Sequence, residues 1–130
     1  MKLKLNFKVN KPTLNKRIYS KEIIIREFDK AIEKDLPIVL ECNNNFEVDL
    51  NNIAGFVKSY NILEDDSIEV EINIINTPSG KILQKLCEDF SELKLSTLGI
   101  GNLKENMNIN IFKLQCLHVD SESMVNKGGI

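Results

Sequence analysis

Two stretches of apolar–polar alternation constrain the fold of this chain more than any other feature. Leu3, Leu5, Phe7 and Val9 alternate with polar residues, and Ile68, Val70, Ile72 and Ile74 do the same. A period of two sorts side chains onto the opposite faces of a pleated strand, so each stretch reads as a strand with one wet face. Elsewhere the period changes. Ser20 is a natural N-cap for a helix over 21–34, with Glu22 in its first turn and Ile24, Ile25, Phe28, Ala31 and Ile32 at helical spacing. A second helix starts at Asn76-Thr77-Pro78 and runs through Ile82, Leu83 and Leu86 to Phe90. Thr77 caps it, and Pro78 takes the first helical position, where its missing N–H costs nothing.

Shorter apolar runs supply the remaining strands, at 37–42, 53–60, 93–100 and 109–119. Gly99-Ile100-Gly101 reads as the turn that ends one of them. The order β-α-β-β-β-α-β-β, with mostly short connections, predicts an α+β domain: a curved or closed antiparallel β-sheet carrying two helices. One domain over 1–120 accounts for the pattern, with 121–130 as a flexible C-terminal tail. At 130 residues, 42% hydrophobic and 28% charged, such a domain buries roughly two-thirds of its unfolded surface and needs no staples.

Charge and composition exclude several functions. The net charge is −2, and fifteen of the seventeen basic residues are Lys. The Arg forks that dominate base and phosphate recognition are scarce, so no nucleic-acid partner is expected. A single His leaves no basis for a His-built zinc site, and no metal or cofactor is implied. Cys42, Cys87 and Cys116 lie far apart in apolar contexts and read as buried, reduced thiols of an intracellular protein. No apolar run approaches the ~18 residues of a membrane span, and the N-terminus has no signal-peptide pattern.

Candidate chemistry is sparse. Gly99-x-Gly101 is too short for a dinucleotide loop. Glu64-Asp65-Asp66 lacks calcium-loop spacing and reads as a solvated hairpin turn. Ser96 follows a strand-like stretch, and a nucleophilic Ser needs a base in hydrogen-bond reach; His118 is the one imidazole in the chain. A lone His in strand context is more often a packing or surface residue than a catalyst.

Several short segments, in order, resemble the phage prohead proteases. Asn15-Lys16-Arg17-Ile18-Tyr19-Ser20-Lys21-Glu22 is similar to the stretch before their first helix. Ile74-Ile75-Asn76-Thr77-Pro78-Ser79-Gly80-Lys81 is similar to their strand-then-helix signature, and Leu95-Ser96-Thr97-Leu98-Gly99-Ile100-Gly101 to their nucleophile segment. The strand from Phe112 to Val119 is similar to the one that closes their domain, so the likeness spans about residues 15–123.

The resemblance implies the β-barrel those serine proteases share with herpesvirus assemblins, and cleavage of scaffold and capsid proteins inside immature heads. It carries the nucleophile onto Ser96 and an orienting triad residue onto His118. The base falls on Asn44, an amide that cannot take the serine proton. A second family His falls on Gly55, the neighbouring Ser is Thr97, and the Arg of the oxyanion site is Leu98. Losing a triad member costs several orders of magnitude in rate. The leading expectation is therefore a non-catalytic relative acting in tailed-phage head assembly or as a capsid-associated structural protein. It would bind capsid or scaffold proteins, or itself, through exposed strand edges and the tail, in the host cytoplasm during assembly, with the virion head as a further location left open. The alternatives are an active serine endopeptidase in which His118 serves Ser96 directly, and an unrelated small α+β binding domain.

Overall fold

The computed structural model describes residues 1–13, 16–41, 50–103 and 109–124. Six strands, β1 (Lys2–Lys8), β2 (Pro37–Val39), β3 (Ile53–Ile62), β4 (Ser67–Ile74), β5 (Lys94–Leu103) and β6 (Ile109–Val119), alternate with two helices, α1 (Lys21–Glu33) and α2 (Pro78–Asp89). Every expected element is present in the expected order. The strands close a barrel in the order β1-β4-β3-β2-β6-β5.

The barrel is mixed rather than antiparallel. Contacts β1·β4, β3·β4, β2·β3 and β5·β6 are antiparallel, whereas β1·β5 and β2·β6 are parallel. Alternation reports which face a residue takes, not which way its strand runs. The outer strands of the β1-β4-β3-β2 sheet run in opposite directions. A hairpin inserted between them closes the barrel with two parallel contacts or with two antiparallel ones, and β5–β6 takes the former. Closure also gives each strand a partner on both sides. The two parallel seams are short: β1 meets β5 at two residue pairs and β2 meets β6 at two, so ladder pairing covers only part of β5 and β6 along those seams. Helix α1 packs on β3 and β6, the two long strands that flank three-residue β2.

Inside the barrel lie Leu5, Val9, Ile38, Ala54, Val57, Ile68, Val70, Leu95 and Leu117, joined by Ile24 and Phe28 of α1 and Leu83 of α2. Both caps form as the local sequence dictates. Ser20 Oγ accepts from the Ile23 N–H at 3.2 Å, and Tyr19 before it is buried with its ring 5.0 Å from Phe7. Thr77 Oγ1 accepts from the Gly80 N–H at 3.0 Å and donates to the Ile53 carbonyl at 3.0 Å, which ties the start of α2 to the start of β3. Gly80 has to be glycine: a Cβ there would collide with the Ile75 carbonyl. The acidic turn behaves as expected. Asp65 Oδ1 accepts from the Ser67 N–H at 3.0 Å, and Asp66 adopts φ 70°.

Gly99 and Gly101 are not a turn. Strand β5 continues through both, with Gly99 opposite Leu114 and Gly101 opposite Phe112, and the register shifts at Leu98/Gly99. A glycine inside a strand commonly marks a bulge, and Gly99 does so here. The segment read as a tail begins as a 3-10 turn, Ser121–Met124, in which Ser123 Oγ accepts from the Lys94 N–H at 3.0 Å. Cys116 is fully buried and Cys87 half-buried, while Cys42 lies outside the described residues.

Candidate functional site

Ser96 on β5 and His118 on β6 are directly opposed in the ladder. Directly opposed residues project to the same face of the sheet, with Cβ atoms about 4.5–5.5 Å apart. Their strand neighbours Leu95, Leu117 and Val119 are buried in the barrel. By alternation, Ser96 and His118 point outward, away from that core, and both are half-buried. The hairpin thus brings together the two residues singled out from the sequence, across twenty-one intervening residues.

They line a groove of about 470 Å³. Its walls are Leu40 and Glu41 after β2, Ile82 and Leu86 of α2, and the turn from Asp120 to Met124. Ile82 is 50% exposed, unusual for a large aliphatic side chain in this protein. Ile82, Leu83 and Leu86 are the apolar residues that the sequence places along α2. Leu83 alone of the three is fully buried, and Ile82 and Leu86 border the groove. Sequence reasoning also missed Glu41 and Asp120. Asp120 is held by the turn it starts: Oδ1 accepts from the Glu122 N–H at 3.1 Å and Oδ2 from Asn6 Nδ2 at 3.3 Å.

His118 Nδ1 lies 3.3 Å from the Val119 carbonyl oxygen. A carbonyl can only accept, so this contact favours the tautomer with the proton on Nδ1, leaving Nε2 as an acceptor. Among the described residues, no hydrogen bond joins Ser96 to His118. Asn44, where the resemblance puts the base, lies outside the described residues.

The remaining matched positions have structural explanations. Leu98 faces Cys116 on the same outer side of the hairpin and packs in a small apolar cluster with Val39, Ile53, Phe56 and Ile75. It brings no donor to a developing oxyanion. Gly55 pairs with Ile38 and Ile74 near the start of β3. A Cβ there would collide with the Asn73 carbonyl, so this backbone admits no side chain at position 55, histidine included. Thr97 takes the opposite parity to Ser96, on the side of buried Leu95. Among the described residues, no group of three His, Cys, Asp or Glu side chains could hold a metal ion.

This barrel matches a solved structure, the capsid assembly protease gp21 of bacteriophage T4. The TM-score is 0.72 over 91% of this chain and 79% of that one, at 16% sequence identity. The chain has a phage capsid-protease-like fold. No protein-family model matches the sequence, and no curated protein matches it. At 16% identity the likeness speaks for the fold, and function has to be argued from the site. Among the described residues, no helix is long and apolar enough to cross a membrane.

Proposed function

We propose that this protein is a non-catalytic domain of the capsid-protease fold that works in phage head assembly. It would hold an extended segment of a capsid or scaffold protein in the Ser96–His118 groove. The observation that carries this reading is the state of the one imidazole in the chain. His118 stands opposite Ser96, yet it is bonded to the Val119 carbonyl and not to the serine. An unactivated serine hydroxyl is a weak nucleophile at neutral pH. Leu98, packed among aliphatic groups, supports the same reading, as does the Asn44 amide at the resembled base position. The groove remains suited to binding: Ile82, Leu86, Leu40 and Met124 give it an apolar surface beside polar Ser96, His118 and Glu41. Such a protein would act in the host cytoplasm while heads are built.

A second reading is favoured by one observation. The register sets Ser96 and His118 face to face, and Nδ1 donation to Val119 leaves Nε2 free to accept a proton. Catalytic hydrogen bonds are often long before substrate binds, so a serine endopeptidase with a two-residue centre is its direct competitor.

One experiment separates the two. The full chain is treated with a fluorophosphonate probe, mapped by mass spectrometry, and co-expressed with the capsid and scaffold proteins of its phage. The non-catalytic reading expects no label on Ser96, intact head proteins, and co-purification that survives Ser96→Ala but is lost in Ile82→Glu. Labelling of Ser96 with Ser96-dependent cleavage would overturn it in favour of the protease.

A further inference from the structure

Away from the Ser96–His118 groove, α1 and β6 enclose a second cavity, of about 340 Å³. Arg26, Lys30 and Lys34 stand four residues apart along α1, so they form one stripe, and Lys113 faces them from β6. Ala31 and Leu114 give the cavity an apolar floor. Among the described residues, the sole carboxylate in the lining is Glu27, whose side chain is only 7% exposed. A buried carboxylate is costly unless paired. Glu27 is paired twice through one oxygen, with Arg26 Nε at 2.9 Å and Lys30 Nζ at 3.6 Å. Those contacts hold both cations at the rim of the cleft. Among the described residues, neither Lys34 nor Lys113 has a carboxylate within ion-pair distance.

The lining therefore carries four cations and one anion in a chain whose net charge is −2. Cations near a helix C-terminus are favoured by the helix dipole, which accounts for Lys30 and Lys34. It accounts for neither Arg26, in the first half of α1, nor Lys113, on another element. We propose that this cleft is a docking site for an acidic, extended peptide segment of a partner protein. Its carboxylates would meet Arg26, Lys30, Lys34 and Lys113, and one aliphatic side chain would cover Ala31 and Leu114. Charge complementarity selects an anionic partner. Protein is favoured over nucleic acid because among the described residues no aromatic ring lines the cleft for base stacking, Arg is scarce, and the net charge of −2 gives no long-range attraction for a polyanion. The site is independent of whether Ser96 is catalytic.

The test uses the full chain and a short fluorescent peptide in which Glu alternates with Leu, read by anisotropy. The same peptide with Gln for Glu, and oligo(dT), serve as comparisons. The acidic peptide is expected to bind, and to weaken several-fold when salt rises from about 50 to about 300 mM. The double variant Lys34→Glu/Lys113→Glu, two solvent-facing changes whose folding is checked by circular dichroism, should weaken binding by about tenfold or more. Lys81→Glu on α2, outside the cleft, should change it by less than about twofold. Equal affinity for the Gln peptide, no binding by the acidic peptide, or full binding by the double variant would each refute the site. Tighter, variant-sensitive binding of oligo(dT) would replace it with a nucleic-acid surface.

Discussion

Thr77 holds α2 in place, and Thr77→Val tests that by removing a hydroxyl at nearly constant volume. Two bonds vanish together: acceptance from the Gly80 N–H and donation to the Ile53 carbonyl, each 3.0 Å long. An N-cap of this kind is worth about 1 kcal/mol, and up to about 2 where the orphaned donor is shielded. Gly80 is buried, so the upper half of that range applies. The lost bond to Ile53 adds about 1 kcal/mol. The sum, about 2–3 kcal/mol, lowers the urea midpoint by about 1–2 M and Tm by about 6–12 °C for a domain of this size. Urea titration followed by far-ultraviolet circular dichroism reads it directly. Ser20→Ala on α1, which breaks the one side-chain cap bond to Ile23, is the internal standard at about 1 kcal/mol. Thr77→Ser keeps both bonds and should stay within about 1 kcal/mol of the parent. A Thr77→Val loss no larger than that of Ser20→Ala would refute the double-tether argument.

Two further outcomes follow from the same structure. Gly55→Ala drives a methyl into the Asn73 carbonyl between two paired strands, and should cost more than about 3 kcal/mol by urea unfolding; a midpoint close to the parent would contradict the packing described for β3. Asp65 is held down at about 2, chiefly by hydrogen bonds from the Ser67 hydroxyl and backbone N–H, with Lys8 and Lys4 adding attraction and desolvation opposing. A depressed carboxyl stabilises the fold above its unfolded value of 3.8 and loses that contribution as pH falls toward about 2. The stability gap between parent and Asp65→Asn should therefore shrink across that interval, and a gap independent of pH there would refute the assignment.

Both helices were legible in the sequence because their signals are local. Ser20 and Thr77-Pro78 form their caps within three residues, and nothing distant has to be known to read them. Strand positions were legible for the same reason. Strand direction was not, since alternation is blind to it, and the two parallel contacts follow from where the β5–β6 hairpin inserts. A closed sheet was expected, and the strands do close. At the site, Ser96 and His118 were found by residue type, whereas Ile82, Glu41 and Asp120 depend on how α2 and the last turn lie over the barrel. The cationic stripe at 26, 30 and 34 is written in α1, yet it becomes a cleft only when Lys113 arrives from a strand eighty residues away.

The pairing of Ser96 with His118 shows why a site can escape sequence counting even inside one hairpin. Counted back from the Leu103–Ile109 pair in a regular ladder, Ser96 would face Cys116, not His118. Two register shifts intervene, at Asn102/Leu103 and at Leu98/Gly99, and each gives β6 one residue more than β5. The second extra residue is Gln115, whose Oε1 is buried without a hydrogen-bond partner among the described residues. A buried, unpaired acceptor costs about 1–3 kcal/mol. The bulge has a geometric return: it keeps Leu114 and Leu117 with the barrel core and Cys116 with the outer cluster, and sets His118 opposite Ser96. Bulges gather beside active sites because they re-aim side chains. Here the strand irregularities set an imidazole opposite a serine, while among the described residues no hydrogen bond joins the two. Position and activation are separate requirements of a nucleophile, and the ladder supplies the first.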